Sequence, residues 1–306
     1  MSLVEIFKEL FTYLNSIQYQ WMPTSPELTL RLRKSKSSFS YLHQYLGLGL
    51  PVHFNDLSQE GFPENLYNEI YPLSLAMSKN NQFFIPHHHW PAQPKNATHY
   101  VYFGQESITL AQEIQNHLNS FLDQKILDLG SGSGALTFEV ANVAKKVLGL
   151  DPCPIAIQWA RAATTAQGLK NVSFEQAAVG TQKAENDASV CKWDIALFNP
   201  PLAVPHPHLQ TPHRDGGSLG IQIPLLFLDF AKRHLRPCGE VFCLISNPIV
   251  KGRPLFFDSL DSHVWKILDR RRFHEQFNCA LYRKEQYHEQ GIDRIELYFL
   301  HLQKRF

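Results

Sequence analysis

The chain has 306 residues, 44% of them hydrophobic and 19% charged, which is the composition of a globular protein with room for one large and one smaller domain. Its formal net charge of +1 excludes a global attraction to nucleic acid, membranes or acidic substrates. Any such attraction must come from local patches. The two basic clusters, between Arg31 and Lys36 and between Arg270 and Lys284, are more simply explained as solvated faces.

The cysteines and the first residues of the chain indicate a cytoplasmic protein. The five cysteines are scattered and include no C-x-x-C pair, which argues against a disulfide framework and against a zinc site. The segment 1–21 repeats apolar residues at helical spacing, at Leu3, Phe7, Leu10 and Leu14, with charged residues between them. We therefore expect a helix there, and neither a signal peptide nor a membrane span.

Residues 1–98 have a different sequence pattern from the rest of the chain, with short helix-like segments and several prolines near the end of this part. We predict a small, mainly helical accessory domain that recognises the substrate or caps the domain that follows. His87-His88-His89 invites a metal site, but consecutive side chains on an extended segment point to alternating faces, and no cysteine or carboxylate cluster accompanies them. We predict no metal.

From residue 99 onward, apolar runs alternate with amphipathic stretches. The pattern predicts strands at 125–129, 147–150, 172–175, 194–198, 240–246 and 294–302, and helices at 135–144, 154–167 and 223–235. Strands separated by helices of this length form βαβ units. We therefore expect a catalytic domain over residues 99–306, of the α/β class, with a mostly parallel sheet and helices on both faces.

The first strand ends in a glycine-rich loop containing Asp128, Gly130, Gly132 and Gly134. Such a loop turns backbone N–H groups and a helix N-terminus toward a ligand, and glycine tolerates the positive φ values of the turn. The spacing also satisfies a loose dinucleotide fingerprint, so NAD remains an alternative. Asp128 favours a cofactor that carries an amino acid, since a carboxylate would repel a pyrophosphate but attract an ammonium group.

The second strand ends at Asp151, where a carboxylate can accept hydrogen bonds from both hydroxyls of a ribose. The competing interpretation is a helix N-cap before Pro152. In the first interpretation Asp151 and Pro152 belong to the cofactor site.

With these residues the chain resembles the class I S-adenosylmethionine-dependent methyltransferases over roughly residues 99–302. The resemblance implies a doubly wound, seven-stranded Rossmann-like sheet and S-adenosyl-L-methionine as the cofactor. It also implies that Gln176 and Ala177, after the third strand, contact adenine, although the acidic residue usual in this family is missing. Residues 102–107 lie where related enzymes close a flap over the methionine moiety, and a plain hairpin is the alternative.

The fourth strand is followed by Asn199, Pro200, Pro201 and Leu202. Two prolines fix φ and remove two N–H donors, so this loop presents the Asn199 side-chain oxygen and the Pro200 carbonyl in a stiff arrangement. Both oxygens can accept N–H groups from an incoming NH₂ and leave its lone pair facing the methyl donor. The pattern predicts methyl transfer to nitrogen by positioning alone, without a metal.

The Asn-Pro-Pro turn resembles that of release-factor glutamine methyltransferases and of nucleic-acid amino methyltransferases. Those enzymes usually have Tyr or Phe after the prolines, where it can stack on a base. Leu202 therefore favours an amide or amino nitrogen of a protein, peptide or small molecule, with a nucleic-acid base as the alternative. The stretch from Arg214 to Gly220 also resembles the glutamine enzymes, but their Ile-Pro-Arg-Pro-Glu-Thr segment is absent, so a release factor is not the expected substrate.

The sequence also offers three alternatives. His206, His208 and His213 either line the acceptor entrance or belong to a polar lid. A nucleotide-dependent oxidoreductase would share the glycine loop but would not need the Asn-Pro-Pro turn. A non-catalytic module that binds the cofactor is the third possibility. The sequence predicts no oligomeric state.

Overall fold

The structure is a computed structural model that describes residues 2–19, 32, 34, 38–47, 52, 54–70, 76–77, 83–84, 105–204, 215–273 and 291–306. Several predictions of the sequence lie outside these ranges. They concern the histidines at 87–89, the histidines at 206–213, residues 102–104 of the expected flap, and parts of the two basic clusters at 31–36 and 270–284.

The main sheet is built from the strands β3 Lys125–Leu129, β4 Lys146–Asp151, β5 Val172–Gln176, β6 Trp193–Phe198, β7 Leu235–Val250, β8 Arg253–Pro254, β9 Trp265–Phe273 and β10 Arg294–Lys304. Seven of them follow the order β5-β4-β3-β6-β7-β10-β9, and the short β8 pairs with β7. Strands β3 to β7 are parallel, whereas β10 runs antiparallel to both of its neighbours. Two further short strands, β1 Ala76–Met77 and β2 Phe83–Phe84, pair with each other.

The helices are α1 Leu3–Ser16, α2 Phe54–Ser58, α3 Glu64–Ile70, α4 Gln105–Asn116, α5 Ala135–Val140, α6 Pro154–Ala166, α7 Gln182–Ala188, α8 Gln222–His234 and α9 Leu255–Ser259. Short turns of other helix types cover His43–Gly47, Leu118–Phe121 and Ser218–Gly220. Buried residues of α1, α4, α5 and α6 pack on one face of the sheet, and those of α7, α8 and α9 pack on the other. The neighbours Ile126 and Leu127 enter opposite cores, as the two-residue period of a strand requires.

The expected doubly wound, mostly parallel, seven-stranded Rossmann-like sheet is confirmed by this topology. When β3 to β7 are numbered 1 to 5 along the chain, their order in the sheet is 3-2-1-4-5, which is the order of a dinucleotide-binding sheet. The strand order reverses between β3 and β6, because the chain passes from β5 at one side of the sheet to β6 on the other side of β3. Ligands of such sheets bind outside the carboxyl ends of the strands at this crossing point.

Helix α1 lies against helix α6. A capping box closes its first turn, since the Ser2 hydroxyl accepts from the Glu5 N–H and the Glu5 carboxylate accepts from the Ser2 N–H. Its buried side chains, which include Phe7 and Leu10, share one continuous core with Ile157 of α6. The division of the chain near residue 98 stays a prediction, but the two parts have a common core in the regions that the structure describes. None of the described helices combines the length and apolar character that crossing a membrane requires.

Candidate active site

The predicted site residues lie in a row along the carboxyl edge of the sheet. In the parallel ladders Leu129 pairs with both Leu150 and Phe198. The residues that follow these three, Gly130, Asp151 and Asn199, therefore leave the sheet at the same level. Neighbouring strands are about 5 Å apart, so the backbones of Asp151 and Asn199 lie roughly 10 Å from each other, on either side of the glycine loop.

The glycines of the loop have the conformation that the sequence predicts. Gly130, Gly132 and Gly134 have φ values of +72°, +54° and +97°, a region that other residues rarely adopt. Gly134 also has no room for a side chain, because a Cβ would lie 2.6 Å from the Phe138 ring and 2.9 Å from the Phe174 ring. At this glycine the close approach is to the protein's own core.

The backbone donors of the loop have partners within the protein. The N–H groups of Gly130 and Ser131 both donate to the Leu150 carbonyl, and the Gly134 N–H donates to the Ser131 carbonyl. The Gly132 N–H donates to the Asp151 carboxylate. These four donors bond to the protein itself, three of them to β4 and one within the loop. A glycine pattern fixes the backbone turn and leaves open which acceptors the N–H groups reach, so the cofactor contacts of the loop stay a prediction.

Asp151 faces the glycine loop. One carboxylate oxygen accepts from the Gly132 N–H at 2.9 Å, and the other accepts from the Cys153 N–H at 2.8 Å. Burial raises the pKa of Asp151, and these two hydrogen bonds oppose the rise. The residue is not a helix N-cap, since Cys153 holds that position before α6. Each carboxylate oxygen has a second lone pair. The residue is partly exposed at this edge of the sheet.

Asp128 is completely buried. Its carboxylate accepts from the Thr137 hydroxyl at 2.7 Å and is also bonded by the Thr137 N–H in the first turn of α5. Burial raises the pKa of Asp128 to about 7; Thr137 opposes the rise and the charge of Asp151 adds to it. The other oxygen, Oδ1, is buried without a hydrogen-bond partner. The ammonium contact expected for Asp128 stays a prediction, because this oxygen is buried beneath the glycine loop.

The residues expected beside adenine lie next to Asp151. Gln176 pairs with Asp151 across the β4–β5 ladder, and its side chain is exposed, with the amide nitrogen 3.4 Å from the Pro152 carbonyl oxygen. Ala177 is buried, and its N–H donates to the Asp151 carbonyl. Pro152 is exposed at the same edge. Of these three residues, Gln176 and Pro152 are therefore the ones whose side chains are accessible to a ligand beside Asp151.

Asn199 has a partner that the sequence did not predict. Its side-chain amide nitrogen donates to the Ser107 hydroxyl at 3.0 Å, across 92 residues of sequence. Ser107 belongs to the first turn of α4, so residues 105–107 are helical and do not form the alternative hairpin. No local pattern marks Ser107, because the contact arises only when α4 packs on the sheet. The side-chain carbonyl oxygen of Asn199, Oδ1, is not part of this hydrogen bond.

The loop after Asn199 is fixed by close backbone contacts. Pro200 is buried, Pro201 is partly exposed, and Leu202 is 7% exposed, with its side chain in the core. The Gly216 N–H donates to the Ala203 carbonyl, and a Cβ on Gly216 would lie 2.9 Å from the Leu202 Cα. The glycine-rich stretch noted in the sequence therefore holds the Asn-Pro-Pro turn in place.

Comparisons with known proteins agree with this geometry. A family model described as a methyltransferase domain matches residues 122–243. The release factor glutamine methyltransferase of Xylella fastidiosa is 28% identical over 151 residues, which are 44% of this chain and 51% of that protein. The chain thus spans about half the length of this curated relative.

Solved structures of methyltransferases are similar to this chain at low identity. An rRNA methylase from Streptococcus thermophilus is 15% identical, with a TM-score of 0.42, over 64% of this chain and 96% of that one. A T. thermophilus 16S rRNA methyltransferase in complex with AdoMet and guanosine is 19% identical, with a TM-score of 0.44, over 76% of this chain and 50% of that one. Likenesses of this degree do not identify an acceptor.

Residues 122–243 are therefore a methyltransferase domain, and they contain both the glycine loop and the Asn-Pro-Pro turn. The expectation of an S-adenosylmethionine-dependent methyltransferase is confirmed for this domain, and S-adenosyl-L-methionine is its cofactor.

Proposed function

We propose that the protein is an N-methyltransferase of the Asn-Pro-Pro group that methylates an amide or amino nitrogen of a protein, peptide or small molecule. One observation carries the proposal. Asn199 leaves the sheet beside the glycine loop, with its amide nitrogen tied back to Ser107 and its carbonyl oxygen outside that hydrogen bond.

The cofactor half of the proposal rests on Asp151. We assign its two partly used oxygens to the ribose hydroxyls, because both are fixed by backbone N–H groups at the level where the loop turns. Pro152, Gln176 and Ala177 follow at the same edge and are assigned to the adenosine side. The glycine loop, which Asp128 supports from below, is assigned to the methionine side. When bound, the cofactor supplies the electrophilic methyl group.

The acceptor half rests on the loop after β6. The Asn199 carbonyl oxygen and the Pro200 carbonyl accept the two N–H groups of the acceptor and thereby direct its lone pair at the methyl group. The two prolines, of which Pro200 is buried, and the glycine contacts of the following residues keep this loop stiff, which lowers the entropic cost of orientation.

The burial of Leu202 supports an amide or amine acceptor over a nucleic-acid base. Its side chain belongs to the core and offers no flat face to an acceptor. A base held at this site would need a stacking partner from elsewhere in the chain. We also propose a cytoplasmic location, which the free thiols of Cys153, Cys191, Cys238 and Cys243 support.

The proposal is tested by incubating the protein with methyl-tritiated S-adenosylmethionine and, separately, the protein, RNA and small-molecule fractions of a cell extract. We expect label in the protein or small-molecule fraction, and acid hydrolysis should release it as an N-methyl compound. Asn199→Ala should reduce transfer at saturating cofactor by about 100-fold or more, as the loss of an orienting group predicts. Its affinity for the cofactor, measured by calorimetry, should stay within twofold of wild type.

Asn186→Ala serves as the control, because Asn186 is exposed on α7 at the surface of the domain. It should transfer methyl groups at the wild-type rate. Label confined to RNA would replace our acceptor class with a base. Base-labile methyl esters, or an Asn199→Ala variant as fast as wild type, would contradict the orienting role.

A further inference from the structure

We infer that Ser107 is a positioning residue that sets which atom of the Asn199 side chain faces the methyl acceptor. The inference rests on the proposed function and deepens it. It assigns to α4, which lies before the matched methyltransferase domain, a direct part in aligning the acceptor.

The orientation of the Asn199 side chain matters because of the chemistry of an amide. The two ends of the Asn199 side chain have nearly the same shape, but one donates hydrogen bonds and the other accepts them. An acceptor NH₂ group is bound only when the side-chain oxygen of Asn199 faces it. A rotation of the Asn199 amide by about 180° would place its own N–H groups against the N–H groups of the acceptor. Asn199 therefore needs a neighbour that selects one orientation.

Asn199 is held by a hydrogen bond to Ser107. The Ser107 hydroxyl receives the Asn199 Nδ2–H at 3.0 Å. Ser107 is only 6% exposed, so water does not readily replace it as the acceptor. In this arrangement Nδ2 faces Ser107 of α4, and the carbonyl oxygen Oδ1 is the other end of the amide. The direction of the bond matters, because a serine hydroxyl can also donate to an amide oxygen.

Helix α4 gives Ser107 a rigid support. Leu110 and Ile114 of α4 are fully buried in the core. Glu113 of the same helix forms an ion pair with Arg271 of β9 at 2.8 Å. Helix α4 is thus anchored at several points. A hydroxyl mounted on it has a defined position relative to β6.

The test compares Ser107→Ala with Ser107→Thr, which keeps the hydroxyl, and with the exposed control Ser189→Ala. For Ser107→Ala we expect kcat to fall about tenfold, the effect of one hydrogen bond on a rate, with the cofactor Kd unchanged. Ser107→Thr should recover most of the loss. The double variant Ser107→Ala/Asn199→Ala should be no slower than Asn199→Ala alone, because Ser107 acts through Asn199.

A second readout does not depend on turnover. In ¹⁵N NMR spectra of the wild-type protein, the Asn199 side-chain NH₂ should give one slowly exchanging proton. This protection should disappear in Ser107→Ala and persist in Ser107→Thr. Unchanged exchange in Ser107→Ala, or additive losses in the double variant, would overturn the inference. If the wild-type protein transferred no methyl group to any fraction, the proposed function would fail, and the NMR result would still decide whether Ser107 holds the Asn199 amide.

Discussion

Two carboxylates at the ends of neighbouring strands have very different surroundings. Asp128 is sealed under the glycine loop and bonded to Thr137, whereas Asp151 is partly exposed and bonded to two backbone N–H groups. At the scale of single residues, this difference separates their roles. We expect Asp151 to act mainly on the cofactor and Asp128 to act mainly on the stability of the loop.

Asp151→Asn is predicted to weaken cofactor binding without unfolding the protein. The amide keeps the size of the side chain but has one acceptor oxygen in place of two, so at least one charge-assisted bond to the ribose is lost. We expect the Kd of S-adenosylmethionine, measured by calorimetry, to rise by about 30-fold or more. Asp229→Asn, a change at an exposed position on α8, is the control and should bind as wild type does. Equal affinities for Asp151→Asn and wild type would remove Asp151 from the site.

Asp128 is predicted to make stability depend on pH. Its folded-state pKa of about 7 lies above the ordinary value of 3.8. The stability that the neutral carboxyl contributes is therefore fully present below about pH 4 and is lost as the pH rises through about 7. In Asp128→Asn this dependence should vanish. The free energy of unfolding is measured in urea for both proteins. As the pH rises from 5 to 7, the value for wild type should fall relative to that of the variant by about 1 kcal/mol per pH unit. Parallel pH profiles would show that Asp128 is not buried as described.

The sequence predicted Asp151 and Asn199 correctly as strand-end residues, because hydrophobic runs mark where parallel strands stop and all such ends meet at one edge. The roles of these residues remain predictions. The sequence could not predict the hydrogen bond from Asn199 to Ser107, which depends on the packing of α4. It also could not predict that Asp128 supports α5, since an acidic residue before a glycine loop has the same pattern in either role.

At the scale of elements, the glycine loop is the feature most sensitive to substitution. Gly134→Ala is expected to destabilise the protein by about 2–4 kcal/mol, because it combines positive φ with overpacking against two phenylalanine rings. The matched control is Gly168→Ala, where φ is +68° and no atom lies within 4 Å of the added Cβ. That change should cost only about 1–2 kcal/mol, the strain alone. Equal costs in urea denaturation would contradict the crowded environment of Gly134.

Elements with strong hydrophobic patterns were predicted from the sequence, and the others were not. The prediction of β3 was correct to the residue, and β4, β5, β6 and α6 were correct within a residue at either end. Strand β9 was missed because it lies at the edge of the sheet and most of its side chains are exposed. Helix α7 was missed because five of its seven residues are polar, with only two alanines buried. In both, tertiary position outweighs local pattern.

At the scale of the whole molecule, the common core of α1 and the catalytic domain predicts cooperative unfolding. Leu10 of α1 is 1% exposed in this core, so Leu10→Ala should cost about 2–5 kcal/mol. We expect calorimetry to show one transition that moves as a whole to lower temperature. Leu122→Ala, at a position that is 63% exposed, should leave it unchanged. A separate early transition, with the main one unmoved, would show that the first part of the chain folds independently.

The central claim is that the carboxyl edge of β3, β4 and β6 holds the cofactor with its sulfur toward Asn199. The most direct measurement is a crystal structure of the protein with S-adenosylhomocysteine. We predict both ribose hydroxyls within hydrogen-bond distance of the Asp151 carboxylate, and the sulfur on the side of the glycine loop that faces the Asn199 carbonyl oxygen. A ligand bound elsewhere, or with its ribose out of reach of Asp151, would contradict the account.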